Sequence, residues 1–531
     1  MKTKLVAALF AFTFSAAFAH DEPGEKLGKV LFKTSCSPAA QKEFERALAL
    51  LHSFDFPETI KAFSAIPQTD PGCAIAYWGL AVSIRPNPLV GPWDAATLKR
   101  GLDAVEKGEA IGAKTQRERD WLAAIKEFYK GFDTVDQDTR TRNYEKAMEA
   151  LTRKYPNDVE AKVFHALALN EIFDHKDMKP LLQAIKILQP LERQYPNHPG
   201  IAHYLIHSYD FAPLAKKGVP VANKYAKIAP SAAHAQHMPS HIYSMVGMWK
   251  ESIASNISSI KVANEYAAKA KLDGVTVGVP HSYDFMQYAY MQLGQDSKAK
   301  ELIGESAKIT KVLGPVSAGQ MARAAVPARY ALERQDWKVA AQLQPLGSPF
   351  PAAEAVTHFA RAMGAARSGE LAAAQADIEK LKELRAGLEK ARQPYWAEQV
   401  EVQILAAQAW VVNAQGNRAE ALKFMRAAAA LEDSTEKHVA MENRLYPMRE
   451  LLGDMLREQG DPGAALTEYE AAMKAAPNRL RGYYGAAKSA EAIGLKKKAQ
   501  GYYLQLARLT QDADGERPEL KELKQNLAKS Q

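Results

Sequence analysis

The chain has 531 residues, of which 47% are hydrophobic and 24% are charged, as in ordinary globular proteins. Its formal net charge is +8, and the 69 basic and 61 acidic residues are interspersed along the whole chain. This pattern is typical of solvated helix faces and argues against a nucleic-acid partner. Alanine is abundant and runs of Val, Ile and Thr are scarce, which favours helix over strand.

The N-terminal residues 1–19 have the pattern of a cleavable signal peptide. Two lysines precede an apolar run, and Ala17 and Ala19 are the small residues that a signal peptidase requires. Cleavage there would make His20 the first residue, with an amine and an imidazole that together can chelate copper, although a frayed terminus is the simpler interpretation. No later stretch is apolar for long enough to span a bilayer. We therefore expect an exported protein, periplasmic or secreted, with no transmembrane segment.

Cys36 and Cys73 are the two cysteines of the chain and lie 37 residues apart. Each comes shortly before a predicted helix, and disulfides persist in the oxidising compartments that exported proteins reach. A bond between them would stabilise the fold by roughly 3–4 kcal/mol through loop closure. We predict this disulfide; the alternative is two unrelated buried thiols.

The C-terminal third contains the clearest internal repeat, with a period of 34 residues. The recurring residues are Gly453, Gly460, Ala465 and Pro477 in one unit and Ala487, Gly494 and Ala499 in the next. Small residues let two helices approach closely, glycine breaks the chain between helices, and proline follows the second helix. This spacing resembles that of the tetratricopeptide repeat (TPR) family. The chain also resembles uncharacterised exported bacterial TPR proteins, a similarity that brings no known activity with it.

The resemblance implies an all-α fold, a TPR-like α-α superhelical solenoid of roughly ten helix hairpins. The expected organisation is 1–19 signal peptide, 20–37 N-terminal segment, 38–313 N-terminal TPR-like array and 314–531 C-terminal TPR array. Such arrays bind a protein or peptide partner in their concave groove. Arg481 and Lys488 lie at groove positions of the last clear unit and would suit an acidic peptide.

Histidines are concentrated in the middle of the chain, where six of the 13 lie between residues 203 and 281. They are His203, His207, His234, His237, His241 and His281. Two i,i+4 pairs, 203/207 and 237/241, are separated by one repeat period of 34 residues. Residues four apart share a helix face, and the repeat register assigns all six histidines to positions 2, 5 and 9, which line the groove in TPR proteins.

This histidine cluster predicts a metal site. Imidazole is a common ligand of Zn, Cu, Fe and Ni, and an i,i+4 pair can chelate one ion from a single helix. We predict that the two pairs converge on a transition metal ion (Cu, Zn or Fe), with His234 and His281 at the rim of the site. Asp210 or Asp284 could orient a ligand through its other ring nitrogen.

Three functions stay open at this point. The protein is a scaffold whose groove binds a transition metal, a metal-free adaptor that binds a peptide or protein, or a metalloenzyme that uses the same histidines. The chain has no P-loop, Rossmann fingerprint, GxSxG elbow, HExxH or haem-attachment motif. Any catalysis would therefore depend on the histidine cluster.

Overall fold

The computed structural model describes residues 24–85, 87–314 and 316–528. The predicted signal peptide, residues 1–19, and His20 lie outside these ranges. Within them the predicted all-α fold is confirmed, because the described chain forms successive helix hairpins that pack mainly against their neighbours in sequence, as in a TPR solenoid. None of the described helices is both long and apolar enough to cross a membrane.

The helices of the first half extend to the end of the histidine-rich region. They are α1 (Pro38–His52), α2 (Phe56–Thr69), α3 (Ile75–Ile84), α4 (Ala95–Ile111), α5 (Gln116–Tyr129), α6 (Gln137–Lys154), α7 (Val159–Glu171), α8 (Lys179–Gln194), α9 (Pro199–Tyr209), α10 (Ala215–Ile228), α11 (Ala233–His237), α12 (Pro239–Val246), α13 (Trp249–Lys269), α14 (Gly278–Leu293) and α15 (Asp296–Ala307). Gly247 and Gly294 end α12 and α14 with φ of +72° and +69°, a left-handed conformation that glycine adopts without steric cost.

The second half contains the repeats with the clearest sequence signature. Its helices are α16 (Val316–Glu333), α17 (Trp337–Ala341), α18 (Pro351–Arg367), α19 (Leu371–Lys390), α20 (Pro394–Ala414), α21 (Arg418–Asp433), α22 (Met448–Glu458), α23 (Pro462–Ala475), α24 (Leu480–Ala492), α25 (Lys496–Leu509) and α26 (Pro518–Ala528). A short parallel pairing of β1 (Val275–Thr276) with β2 (Val312–Leu313) is the sheet formed by the described residues.

Buried apolar side chains form two large clusters in the described chain. One is built from α1–α12 and the segment before them, and the other mainly from α16–α26. Smaller clusters around α13–α15 lie between them. The domain boundaries given above stay predictions. Cys36 and Cys73 are joined by a disulfide in the first cluster's region, with their Cα atoms 5.0 Å apart.

The solenoid curls so that repeats far apart in sequence touch. The indole Nε1 of Trp249 donates to the carbonyl of Asn478 over 2.7 Å, and Arg517 pairs with Asp296. The segment 434–447, which we call the closing segment, connects α21 to α22 and returns to the histidine-bearing helices. There the Nζ atom of Lys437 lies 2.7 Å from Oδ2 of Asp210. The groove over the middle repeats is therefore covered by the chain itself.

The last repeat also has its groove face covered by the chain. Arg481 donates to Glu519 over 2.8 Å, and Lys488 and Tyr484 both donate to Glu522. Both glutamates belong to α26. The acidic partner expected for Arg481 and Lys488 is thus the chain's own C-terminal helix.

Candidate metal centre

Four helices supply the six histidines. His203 and His207 lie on α9, His234 and His237 on α11, His241 on α12 and His281 on α14. Helix α9 begins with a proline and is capped by the ring of His198, which accepts the backbone N–H of Ile201.

A break separates α11 from α12 at Met238 and Pro239. Proline lacks the N–H of an internal helical residue and therefore favours this break. His237 and His241 nevertheless remain on one face across the break, because the peptide N–H of Met238 still bonds the carbonyl of His234 and that of His241 bonds the carbonyl of Met238.

The first triad consists of His203, His207 and His234. The Nε2 atom of His203 lies 3.0 Å from Nε2 of His207 and 3.1 Å from Nε2 of His234. On its other side, Nδ1 of His203 lies 2.6 Å from the carbonyl oxygen of His52. Because a carbonyl oxygen only accepts, His203 must carry its proton on Nδ1, which leaves Nε2 with a free lone pair.

The second triad consists of His237, His241 and His281. The Nε2 atoms of His237 and His241 are 3.0 Å apart, and the ring centroid of His281 lies 4.7 Å from that of His237. Within each triad, one ligand atom from every histidine lies within 4.8 Å of the others.

The six histidines therefore come together, but not as predicted from the sequence. His234 and His281 are third members of two separate triads and do not lie at the rim of a single four-histidine site. Each triad combines positions 5 and 9 of one unit with position 2 of the next, since adjacent hairpins bring the start of the following helix beside the pair. The same arrangement thus occurs twice, one repeat apart.

The hydrogen bonds of the second triad show which ring nitrogen carries the proton in His237 and in His241. Nδ1 of His237 lies 2.7 Å from Oδ1 of Asn256, whose Nδ2 donates to the carbonyl of Ser252 over 2.8 Å. The amide orientation is thereby set, and His237 must donate from Nδ1. His241 likewise places Nδ1 2.7 Å from Oδ2 of Asp210. Both Nε2 atoms are consequently bare acceptors.

Two bare acceptors at 3.0 Å repel each other unless a cation lies between them. Two nitrogens bound to one tetrahedral ion at 2.0–2.1 Å are about 3.3–3.4 Å apart. The separations in the two triads, 3.0 and 3.1 Å, lie within a few tenths of an ångström of this value. The arrangement is therefore suited to hold a metal ion at each triad.

Burial keeps these imidazoles neutral. His203, His207, His237, His241 and His281 are buried and His234 is half-buried. Burial lowers the pKa of His237 to about 4 and lowers the pKa of His203, His207, His241 and His281 well below the usual value, and in those four the neighbouring histidines add to the effect. Neutral imidazole has the lone pair that a metal requires.

Each triad is enclosed by one phenylalanine. The ring of Phe54 lies 4.4 Å from that of His203 and 5.4 Å from that of His234, and Phe285 lies 4.8 Å from both His237 and His241. Apolar walls of this kind limit water around the nitrogens and strengthen electrostatic interactions.

The two triads adjoin each other. The ring centroids of His207 and His241 are 6.1 Å apart, and those of His234 and His237 are 6.0 Å apart. A polar cavity of about 150 Å³ lies beside the first triad, with His207, His175 and His438 among its lining residues. The closing segment contributes His438 to this cavity.

Two acidic residues singled out in the sequence take different roles. Asp210 orients His241 and also accepts from Lys437, while burial raises its pKa against the opposing effect of Lys437. Asp284 instead accepts from Arg329 over 3.1 Å and does not orient a histidine. Sequence reasoning missed Asn256 and Lys437, because neither stands at a groove position or near the cluster in a recognisable pattern.

A third group of possible metal ligands, His52, Glu160 and His198, has a structural role. Glu160 accepts from Nε2 of His52 and from Nε2 of His198, each over 2.9 Å, and all three residues are buried. Burial would raise the pKa of Glu160, but its contacts with His198 and His52 outweigh burial and hold the pKa below its usual value. The backbone carbonyl of His52 is the acceptor for His203, so this group supports the first triad.

Comparisons with known proteins found remote structural matches alone. No family model matches it, and no curated protein matches it in sequence. Among solved structures, the human IFIT1 dimer with m7Gppp-AAAA covers 82% of this chain and 90% of its own at 11% identity, with a TM-score of 0.35. The human IFIT1 dimer with PPP-AAAA covers 87% and 89% at 10% identity, with a TM-score of 0.37. Matches at this level carry no statement about the ligand of this chain.

Proposed function

We propose that this protein is an exported TPR-like scaffold that binds transition metal ions through its two histidine triads. The observation that carries the proposal is the 3.0 Å separation of the Nε2 atoms of His237 and His241, both of which are committed to donate from Nδ1. A cation supplied from outside the chain satisfies both nitrogens. Export is supported by the signal-like N terminus and by the Cys36–Cys73 disulfide, which belongs to an oxidising compartment.

The residues present fit such an ion. Each triad offers three neutral imidazoles, and three protein ligands leave one coordination position open. His203, His237 and His241 donate from Nδ1 to an oxygen, which sets the tautomer that binds through Nε2. A peptide adaptor is the less favoured function, because the closing segment and α26 already cover the groove faces that a partner would need.

Metal analysis of the purified mature chain tests the proposal. We expect stoichiometric transition metal after dialysis against a weak chelator, and a clear loss of metal in His237→Ala with the helical circular dichroism retained. His358→Ala is the matched control, because buried His358 also places Nδ1 2.7 Å from a side-chain oxygen, that of Asp377, but lies outside the cluster. A folded wild-type chain that retains no metal and takes up none from Cu, Zn or Fe salts would overturn the proposal.

A further inference from the structure

We propose that the two triads hold a pair of copper ions that bind dioxygen between them. This inference rests on the metal binding proposed above and adds the number of ions, their identity and their small-molecule substrate. It is carried by the repetition of the same three-histidine arrangement in two adjoining triads and by the absence of carboxylate ligands from both.

The geometry favours a pair of ions over two independent sites. The first and second triads repeat the same groove positions in successive units, so they lie side by side along one stretch of groove. Rings from opposite triads are 6.0–6.1 Å apart at two places, His234 to His237 and His207 to His241. Two-metal sites that share a small ligand have their ions about 3.5–4 Å apart, and adjoining triads of this size suit such a pair.

The donor set favours copper. The residues grouped in each triad are histidines alone. Asp210 contacts the ring of His241 from behind, through Nδ1, and Asp284 is engaged by Arg329. Magnesium, manganese and non-haem iron sites use carboxylates, whereas a set of imidazoles suits copper, zinc or nickel, and among the divalent ions of these metals copper binds most tightly.

The charge of the surroundings favours monovalent copper in the resting state. Both triads are neutral, largely buried and flanked by phenylalanines, and the nearest carboxylate, Asp210, is already paired with Lys437. Burying charge without a counter-charge is costly. Two Cu(I) ions bring a total charge of +2, whereas two divalent ions would bring +4.

Dioxygen is the substrate that such a pair can take. Each Cu(I) gives up one electron, so that O₂ receives two electrons and becomes peroxide, bound between two Cu(II) ions with its O–O single bond intact. The peroxide carries a charge of −2 and the two Cu(II) ions +4, so the total stays at +2. No proton or further reductant is needed. The cavity of about 150 Å³ beside His207 admits a molecule of this size.

The experiment uses the full mature chain loaded anaerobically with Cu(I) and then exposed to dioxygen. We expect two copper ions per chain, uptake of one O₂ per two copper ions, and an electron paramagnetic resonance spectrum that stays silent because the two Cu(II) ions are coupled. Acid quenching should release one H₂O₂ per O₂ taken up. His234→Ala, the variant at the half-buried position of the first triad, should bind one copper ion and lose this uptake, while His358→Ala behaves as wild type.

The possible results separate this inference from the proposal on which it rests. A chain that binds no metal overturns both. A chain that binds a single ion, or two zinc ions but no copper, overturns the copper pair and leaves metal binding intact. Two copper ions that give a mononuclear Cu(II) resonance on exposure to dioxygen also overturn the pair. His281→Ala provides a second test from the other triad, should His234→Ala lose its circular dichroism.

Discussion

The middle repeats and the last repeat use the same three groove positions for different purposes. In the middle repeats, positions 2, 5 and 9 carry the six histidines, whose nitrogens converge on one another. In the last repeat the same positions carry Arg481, Tyr484 and Lys488, and all three donate to Glu519 or Glu522 of α26. The repeat scaffold therefore supplies the inward positions, and the residue types placed there decide what binds.

The two regions also differ in how their polar groups are satisfied. In the last repeat, donors at the groove positions meet acceptors within the chain. In the second triad, Nε2 of His237 and Nε2 of His241 meet only as acceptors. A groove whose donors meet acceptors within the chain acts as a structural joint, whereas a groove of facing lone pairs is suited to bind a cation.

Arg481→Ala should have the largest effect and should be confined to stability. Arg481 is buried between Glu519 and Asp454, so its removal leaves two carboxylates without their counter-charge. Breaking a buried pair costs about 3–5 kcal/mol. We expect a loss of this size in the free energy of unfolding, measured by denaturant titration, with metal content unchanged. Exposed Arg418→Ala is the control, and a loss of metal in Arg481→Ala would break the comparison.

Asn256→Ala should weaken metal binding and leave the contacts between the last repeat and α26 unchanged. It removes the acceptor that orients His237, and losses of such a partner typically weaken metal affinity by about 10–100-fold. The affinity of the second triad, measured by competition with a chelator, should fall by this factor. The first triad serves as the internal control. Equal weakening of both triads would show that Asn256 supports the repeat in general.

Glu442, in the closing segment that connects the two regions, should make stability depend on pH. Burial raises the pKa of Glu442 to about 8, against the opposing effect of Arg329. Between its ordinary value of 4.5 and about 8, the folded chain keeps a proton that the unfolded chain releases. Stability should therefore be complete below this window and fall as pH rises through it, by at most about 1.4 kcal/mol per pH unit.

The variant Glu442→Gln should flatten this fall, because glutamine does not titrate. Thermal unfolding midpoints of both chains between pH 5 and pH 9 test the prediction. We expect the gain of the variant over wild type to grow with pH. Parallel curves would refute a buried, protonated Glu442.

Lys488→Ala should have the smallest effect. Its partner is Glu522, and the two side chains are 28% and 32% exposed. Ion pairs with this exposure contribute about 0–1 kcal/mol. Denaturant titration should show a change within that range, and limited proteolysis should show only slightly faster cleavage at α26. A loss as large as that of Arg481→Ala would mean that exposure does not separate the two pairs.

Much of the fold could be predicted from the sequence, because the spacing of small residues in each repeat determines where its two helices pack together. The concentration of histidines between residues 203 and 281 identified the six, and the 34-residue period assigned them to groove positions. The division into triads could not be predicted, since it depends on how the start of one hairpin packs beside the helix before it. The roles of Asn256 and Lys437 could not be predicted either. Lys437 contacts Asp210 from 227 residues away in the sequence, and no local pattern encodes such a contact.

The contact between Lys437 and Asp210 would couple the proposed metal binding to the docking of the two halves of the chain. Asp210 holds the ring of His241, and Lys437 holds Asp210 from the closing segment. Coupling between two binding events is reciprocal. If docking of Lys437 strengthens metal binding, then bound metal stabilises the docked state by the same free energy. Metal-loaded chain should therefore protect the amides of 434–447 from hydrogen exchange more than metal-free chain does. Hydrogen exchange in the closing segment would in this sense report whether the histidines have bound metal.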